Sequence, residues 1–526
     1  YSNLPDEQEA FLRAHPYIDF YILEEGELPF TELLKTLIAN DFNIDNVIQN
    51  EQSLLGIHFF KNNKFTRNAV QPRIQDVSIL PSPILTGLMD KFVNGDYIPM
   101  VQTTRGCPYS CTFCHDGTSY QNKLKRFPKE TYLREIDYIA QRTRVPHLCI
   151  PDLNFGIFEE DYETAEYIAE TQKKYDWPKS LDVTAAKNNK ERISRIVDLL
   201  GNTYLMGASV QSTDQAVLKN IKRTNLPFAE LVKMAKKSAQ HGGNSYSEVF
   251  LCLPGDTKEA HFKSVLDLVE GGMDEVRMYQ FILLAGTEGG SNTSREKYGY
   301  RTKWRVLPRC FGKYDFFGKK IPVAEIHEVC IANNTMAHQD YLDCRKLNLI
   351  VEIFNNGRVF GELFRFLDLI GISRASIIHK VYLHAMSNND LLGSILKEFE
   401  KNEERNFFET REELGEFVRT SGNIERYLSG EYGINQIMGF RSAALIQNLK
   451  YNTKIIFDVA RQELKDNNRL DEANELYLKE LSEFILACRG DLLSNDKIFT
   501  KEFHFDFVTL FTKNFTVNPL EFRVQH

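Results

Sequence analysis

Apolar and polar positions change rhythm twice along the 526 residues. In the first 94, Tyr17-Ile18-Asp19-Phe20-Tyr21-Ile22-Leu23 reads as a short strand and Glu24-Glu25-Gly26-Glu27 as a turn. Phe30, Leu33, Leu34 and Leu37 then recur at three and four residues, which lays them on one helix face. Leu54-Leu55-Gly56-Ile57-His58-Phe59-Phe60 is strand-like, and Leu80-Pro81-Ser82-Pro83 is a linker. From 95 to 300, strand and helix patterns alternate. Strands are expected over 98–103, 147–151, 180–183, 205–210, 247–253 and 275–284. Helices are expected over 129–142, 162–174, 189–200, 215–221, 228–241 and 258–271. Beyond 301, a Gly- and aromatic-rich stretch to about 335 gives way to long helical patterns. Leu363, Phe364, Leu367 and Ile370 mark one, and Ile434, Ile437, Met438, Leu445 and Leu449 another. Residues 503–511 read as a terminal strand.

The alternation places the chain in the α/β class, with parallel strands joined by right-handed crossovers. Six such units make most of a barrel, and barrels of this kind carry their chemistry at the C-terminal ends of the strands. The expected layout is an N-terminal segment over 1–94, a partial (β/α)6 barrel over 95–300 and a mainly helical domain over 301–526.

A net charge of −8 supplies no global basic field, so nucleic acid is not the expected partner. No apolar run approaches the roughly 18 residues of a membrane span, so no membrane partner is expected either. The opening Tyr-Ser-Asn-Leu-Pro-Asp-Glu is not a signal peptide. The missing initiator Met marks the chain as a fragment or a processed product.

Chemistry enters with Thr103-Thr104-Arg105-Gly106-Cys107-Pro108-Tyr109-Ser110-Cys111-Thr112-Phe113-Cys114, directly after the first expected strand. Iron–sulfur clusters are held by cysteine thiolates, usually four. Three thiolates at spacings of three and two residues leave one iron open to a further ligand. A structural zinc site also needs four ligands, and His115 stands next in line, but the chain has no second Cys-x-x-Cys. A disulfide cluster suits a short secreted protein rather than 526 residues with nine cysteines. Iron-binding thiolates require a reducing compartment, hence the cytoplasm. Cys149, Cys252, Cys310, Cys330, Cys344 and Cys488 are dispersed, mostly among apolar neighbours, and read as buried structural thiols. Cys310 and Cys330, 20 apart, remain as a distant auxiliary pair.

The Cys-x3-Cys-x2-Cys run resembles the radical S-adenosylmethionine (SAM) superfamily. The resemblance implies a 4Fe–4S cluster on Cys107, Cys111 and Cys114, with the amino and carboxylate groups of SAM on the fourth iron. It also implies an aromatic near the adenine at Phe113. Asp152-Leu153-Asn154-Phe155 is similar to a segment of the subgroup with an N-terminal cobalamin-binding domain. There Asp152 or Asn154 would accept a hydrogen bond from the SAM amino group, and the alternative is a helix N-cap. Gly207-Ala208-Ser209-Val210-Gln211-Ser212, followed by Arg223, resembles the pattern in which Ser209 or Gln211 lines the SAM pocket. Arg223 would pair with the SAM carboxylate, whose geometry the guanidinium fork matches. Its alternative is a surface Arg. Lys187 is a further polar candidate beyond Val183-Thr184-Ala185-Ala186. Leu253-Pro254-Gly255-Asp256-Thr257 and Ala285-Gly286-Thr287-Glu288 look like the family's rim turns, and both are expected to be structural. For Arg105, His115 and Asp116 a supporting role around the cluster and plain loop surface stay open. Residues 1–94 resemble the end of a Rossmann-like cobalamin domain, without its Asp-x-His-x-x-Gly motif.

What the family implies is reductive cleavage of SAM to a 5′-deoxyadenosyl radical and abstraction of hydrogen from an unactivated carbon. With cobalamin bound by this chain or by residues before Tyr1, the expected outcome is methylation of that carbon. A small-molecule substrate is expected, with an external electron donor such as a flavodoxin or ferredoxin. The alternatives are radical sulfur insertion or rearrangement without cobalamin, and a non-catalytic binding module stabilised by zinc or a cluster.

Overall fold

The computed structural model describes residues 5–49, 54–187, 189–207, 209–240, 245–433, 435–490 and 500–524. The chain forms two compact units. One comprises 1–186, 221–223 and 283–297; the other 187–220, 224–282 and 298–526.

In the first unit, β1 (Tyr21–Ile22), β2 (Ile57–Lys61) and β3 (Lys64–Arg67) pair antiparallel. Asn62 and Asn63 both take positive φ, the geometry of a tight hairpin turn that matches strand twist. Leu33, Val47, Leu54, Ile57 and Phe59 form the core beneath this sheet. The two-residue Asn-Asn loop between β2 and β3 permits only an antiparallel return.

The strand expected over 98–103 is reduced to a parallel bridge between Met100 and Cys149. Val101 N donates to Cys149 O and Cys149 N to Pro99 O, both at 3.0 Å. Thr103 and Thr104 instead direct their amides to the Asp152 carboxylate, which ends the ladder. β4 (Thr104–Arg105) then pairs antiparallel with β5 (Lys125–Arg126), closing the cysteine loop at its base. β6 (His147–Phe155) runs parallel to β7 (Ser180–Ala185), with the helix Glu159–Tyr175 as crossover. β6 is longer than its apolar run, so Asp152 and Asn154 lie within the strand and not beyond it.

In the second unit β8 (Tyr204–Gly207), β9 (Ser245–Leu251) and β10 (Glu275–Gln280) are parallel neighbours. Ala208 and His241, parts of an expected strand and helix, lie outside the described residues, as does Ile434. The Pro-Gly turn behaves as expected: Gly255 takes φ +78° and the Thr257 hydroxyl caps the helix Lys258–Glu270 by accepting from Ala260 N at 3.1 Å.

Residues 301–332, within the Gly- and aromatic-rich stretch that precedes the long helices, are mostly strand. β11 (Arg301–Phe316) and β12 (Lys319–Ala332) form a long antiparallel hairpin. Phe317 and Gly318 turn it with positive φ, and Asp315 accepts from Gly318 N at 3.1 Å. Val306 packs on Leu414, Val418 and Tyr427, while Phe317 at the tip is 92% exposed. The helices His338–Phe354, Gly361–Leu369, Arg374–Ser387, Gln436–Asp466 and Glu472–Arg489 supply the rest of this unit's core. The expected terminal strand over 503–511 is largely the helix Phe507–Thr512, capped by Asp506; only Phe505 bridges to Arg523. Among the described residues no helix is long and apolar enough to cross a membrane.

Candidate active site

Two glycines shape the cysteine loop. Gly106 takes φ +93°, and a Cβ there would stand 2.5 Å from Lys123 O and 2.7 Å from Gln121 O. A Cβ on Gly117 would stand 2.4 Å from Cys111 O. Neither position has room for a side chain, so the loop backbone passes close to itself at both glycines.

The loop is braced from two sides. Arg73, buried, donates from Nη1 to the carbonyls of Tyr120, Gln121 and Lys123, and from Nε to Glu25 at 3.1 Å. Glu25 also accepts from Ile74 N at 2.8 Å, and Arg105 approaches it at 3.6 Å while pairing with Glu27 at 2.8 Å. On the other side Thr112 N donates to Ile221 O at 3.1 Å and Gly289 N to Thr112 O at 2.7 Å. Lys222 pairs with Glu288 at 2.6 Å. Gly289, directly after the turn at 285–288, therefore holds the loop.

Cys107 and Cys111 are buried and Cys114 half-buried, all as free thiols. Burial pushes the Cys114 thiol up. Asn154 Nδ2 donates to Cys107 Sγ at 3.3 Å, and Arg223 Nη1 approaches Cys111 Sγ at 3.8 Å. Both donors are buried. Asn154 Oδ1 is buried without a hydrogen-bond partner. An orphaned acceptor beside a cluster thiol is what an incoming amino group needs, and Arg223 supplies a fork for a carboxylate. The donor set thus fits both a cluster and SAM. Among the described residues no three His, Cys, Asp or Glu side chains are gathered for a single metal ion.

The structure separates Asp152 from Asn154. Asp152 accepts from Thr103 N at 3.0 Å, Thr104 N at 3.1 Å and the Thr103 hydroxyl, which commits both its oxygens to positioning the strand before the loop. Burial nonetheless lifts its carboxyl above the ordinary range. Neither residue caps a helix: Asp161 does so, accepting from Gly156 N at 2.8 Å and Phe158 N at 3.0 Å. Phe113 is half-buried next to Cys114. His115 is exposed, and Asp116 Oδ2 lies 3.9 Å from Cys114 Sγ.

Ser209, Gln211 and Lys187 belong to the second unit. Ser209 donates to Glu248 at 2.5 Å. Gln211 takes φ +64° and bridges to Val249, its Oε1 buried and unpartnered. Lys187 is half-buried two residues past β7. The other cysteines are less scattered than their spacing implies: Cys252 and Cys330, both buried, stand 3.6 Å apart, and Cys310 is exposed. This corrects the distant Cys310–Cys330 pair, because the hairpin brings Cys330 to the end of β9. Glu25 and Arg73 were not singled out by sequence; a lone Glu and a lone Arg 48 residues apart carry no local pattern.

Residues 101–269 match the family model described as the radical SAM superfamily. The chain is 30% identical, over 68% of its length and 52% of the relative, to the cobalamin-dependent radical SAM methyltransferase TokK of Streptomyces tokunonensis. It is 29% identical, with the same shares, to the 2-(S-pantetheinyl)-carbapenam-3-carboxylate methyltransferase of Streptantibioticus cattleyicolor. The chain spans about half the length of these curated relatives. Among solved structures it is similar to the cobalamin-dependent SAM radical enzyme OxsB, at 14% identity and a TM-score of 0.45, over 93% of this chain and 70% of that one.

Proposed function

The chain belongs to the radical SAM superfamily and resembles its cobalamin-dependent methyltransferases, and from that premise we propose that it methylates an unactivated carbon of a small molecule. The observation that carries this reading is the convergence of Asn154 and Arg223 on two of three free thiols in a loop with no space for added side chains. A 4Fe–4S cluster with SAM and cobalamin supplies radical generation and a transferable methyl group when bound.

The protein's own residues bind and orient. Cys107, Cys111 and Cys114 would hold the cluster. Asn154 Oδ1 would accept from the SAM amino group, and Arg223 would turn from Cys111 to the SAM carboxylate. Phe113 would flank the adenine. Ser209, Gln211 and Lys187 are further candidates for SAM contacts. We read the parallel strands from the Met100 bridge through β10 as a partial (β/α)6 barrel over 95–300, with 1–94 and 301–526 as flanking domains. Cobalamin is the assigned methyl carrier, although no Asp-x-His-x-x-Gly motif occurs in 1–94. An external flavodoxin or ferredoxin would deliver electrons in the cytoplasm.

Anaerobic reconstitution with iron and sulfide, then reduction with methyl-labelled SAM, tests the reading. The expected result is four irons per chain, 5′-deoxyadenosine and bound corrinoid, with iron and deoxyadenosine lost when all three cysteines become Ala. Zinc in place of iron, or a loaded cluster that leaves SAM intact, overturns it.

A further inference from the structure

The second unit holds a cavity of about 430 Å³ beside β10, walled by the hairpin and by the helices His338–Phe354 and Gln436–Asp466. Its size is that of a small-molecule site. Met278, Leu307, Ile437 and Met438 give it an apolar lining. Arg305 and Arg345 also reach its wall, both buried. Two buried guanidinium groups need compensating charge.

One carboxylate supplies it, and Arg345 takes it. Arg345 Nε and Nη2 meet the two oxygens of buried Glu403 at 3.0 and 3.1 Å. Gln280 and the Tyr341 hydroxyl complete the Glu403 shell at 2.8 and 3.2 Å. Arg305 is left with neutral acceptors. Its Nη2 donates to Gln280 Oε1 at 2.6 Å and its Nε to His327 Nε2 at 2.7 Å. Its Nη1 reaches Glu403 only as a longer ion pair, 3.8 Å from the Oε1 that Arg345 already binds, so two guanidinium groups share one carboxylate.

The neighbouring groups do not cancel the surplus. Burial and Arg305 push His327 down to about 3, so it stays a neutral acceptor. Burial pushes Glu352 up to about 7, although Arg441 opposes the rise. Arg277 is matched by Glu275 at 3.2 Å. A cation held out of water, under-compensated and facing an apolar chamber, is a seat for one negative charge on an apolar body.

We propose that this cavity binds a carboxylate-bearing small molecule, with Arg305 receiving the carboxylate and the Met278–Met438 lining receiving its apolar body. The inference goes beyond the methyl-transfer reading and does not rest on it.

The test is a ligand-observed NMR titration of the reconstituted full chain with phenylacetate and phenylacetamide, alike in shape and different in charge. Phenylacetate is expected to bind at least ~10-fold more tightly than the amide, since a hydrogen bond to a charged group contributes about 1.5–3 kcal/mol. Arg305→Gln should abolish that preference while leaving amide binding unchanged; Glu403 keeps Arg345, so the substitution strands no buried charge. Glu403→Gln frees a second guanidinium, and phenylacetate should raise its melting temperature more than the parent's. Equal binding of acid and amide, no binding of the acid, or undiminished binding to Arg305→Gln each overturns the proposal. Deoxyadenosine is measured on the same preparations. Arg305-dependent binding without SAM cleavage overturns only the methyl-transfer reading; cleavage with Arg305-independent binding overturns only this one.

Discussion

At the scale of single residues, Asn154 and Asp152 show how two similar side chains on one strand part ways. Asp152 has both oxygens engaged with Thr103 and Thr104, so its role is to position backbone. Asn154 touches Cys107 and retains an open acceptor. Asn154→Leu is therefore expected to leave iron content near that of the parent and to weaken SAM binding ~10–100-fold, the weight of one or two lost polar contacts. Equilibrium dialysis with labelled SAM against iron quantification separates the two effects. Asp152→Leu is expected to reverse the pattern: melting temperature and iron content fall together, because the Thr103 and Thr104 amides lose their acceptor.

At the scale of elements, the cysteine loop depends on residues far from it in sequence. Arg73 and Glu25 are a buried pair whose guanidinium also holds three loop carbonyls. Arg73→Met leaves Glu25 buried and those carbonyls without a donor, a loss of about 3–5 kcal/mol measurable by urea unfolding. Gly106→Ala adds a methyl where no space exists and is expected to cut iron incorporation with little change in far-ultraviolet circular dichroism. Legibility follows the same division. The helix over 258–270 and the cysteine triplet are local patterns, and they read directly from the chain. The hairpin over 301–332 did not, because its alternation is interrupted by Pro308 and by the register shift between Val306 and Phe311. The antiparallel sheet near the N-terminus was hidden for another reason: strand direction is set by the Asn62–Asn63 turn, while apolar spacing is the same in either direction. Of the site, the thiols were legible and their braces were not, since long-range pairing leaves no periodicity.

At the scale of the whole molecule, buried acids shape the response to pH. Burial pushes Asp256 up to about 8, against hydrogen bonds from Cys252 and Thr257 that lower it. Its folded pKa lies above the unfolded value of roughly 3.9. Between those values the native chain holds a proton that the unfolded chain has released, so this group's contribution makes stability fall as pH rises. The effect is on the order of a few kcal/mol across the window. Asp256→Asn is expected to flatten the decline in melting temperature from pH 5 to 8, and a slope equal to the parent's would remove Asp256 as its source.

The uneven exposure of the nine cysteines gives the protein a built-in gauge. Cys310 and Cys488 are open to solvent, Cys252, Cys330 and Cys344 are sealed, Cys149 is half-buried, and the loop thiols are covered to different depths. A bulky alkylating reagent applied to the folded Cys149→Ala variant is expected to add two tags when iron occupies the loop. A third tag should appear first at Cys114 when iron is absent. Intact-mass spectrometry would then report, molecule by molecule, the filled fraction of a preparation, including molecules that colour and average iron content do not distinguish.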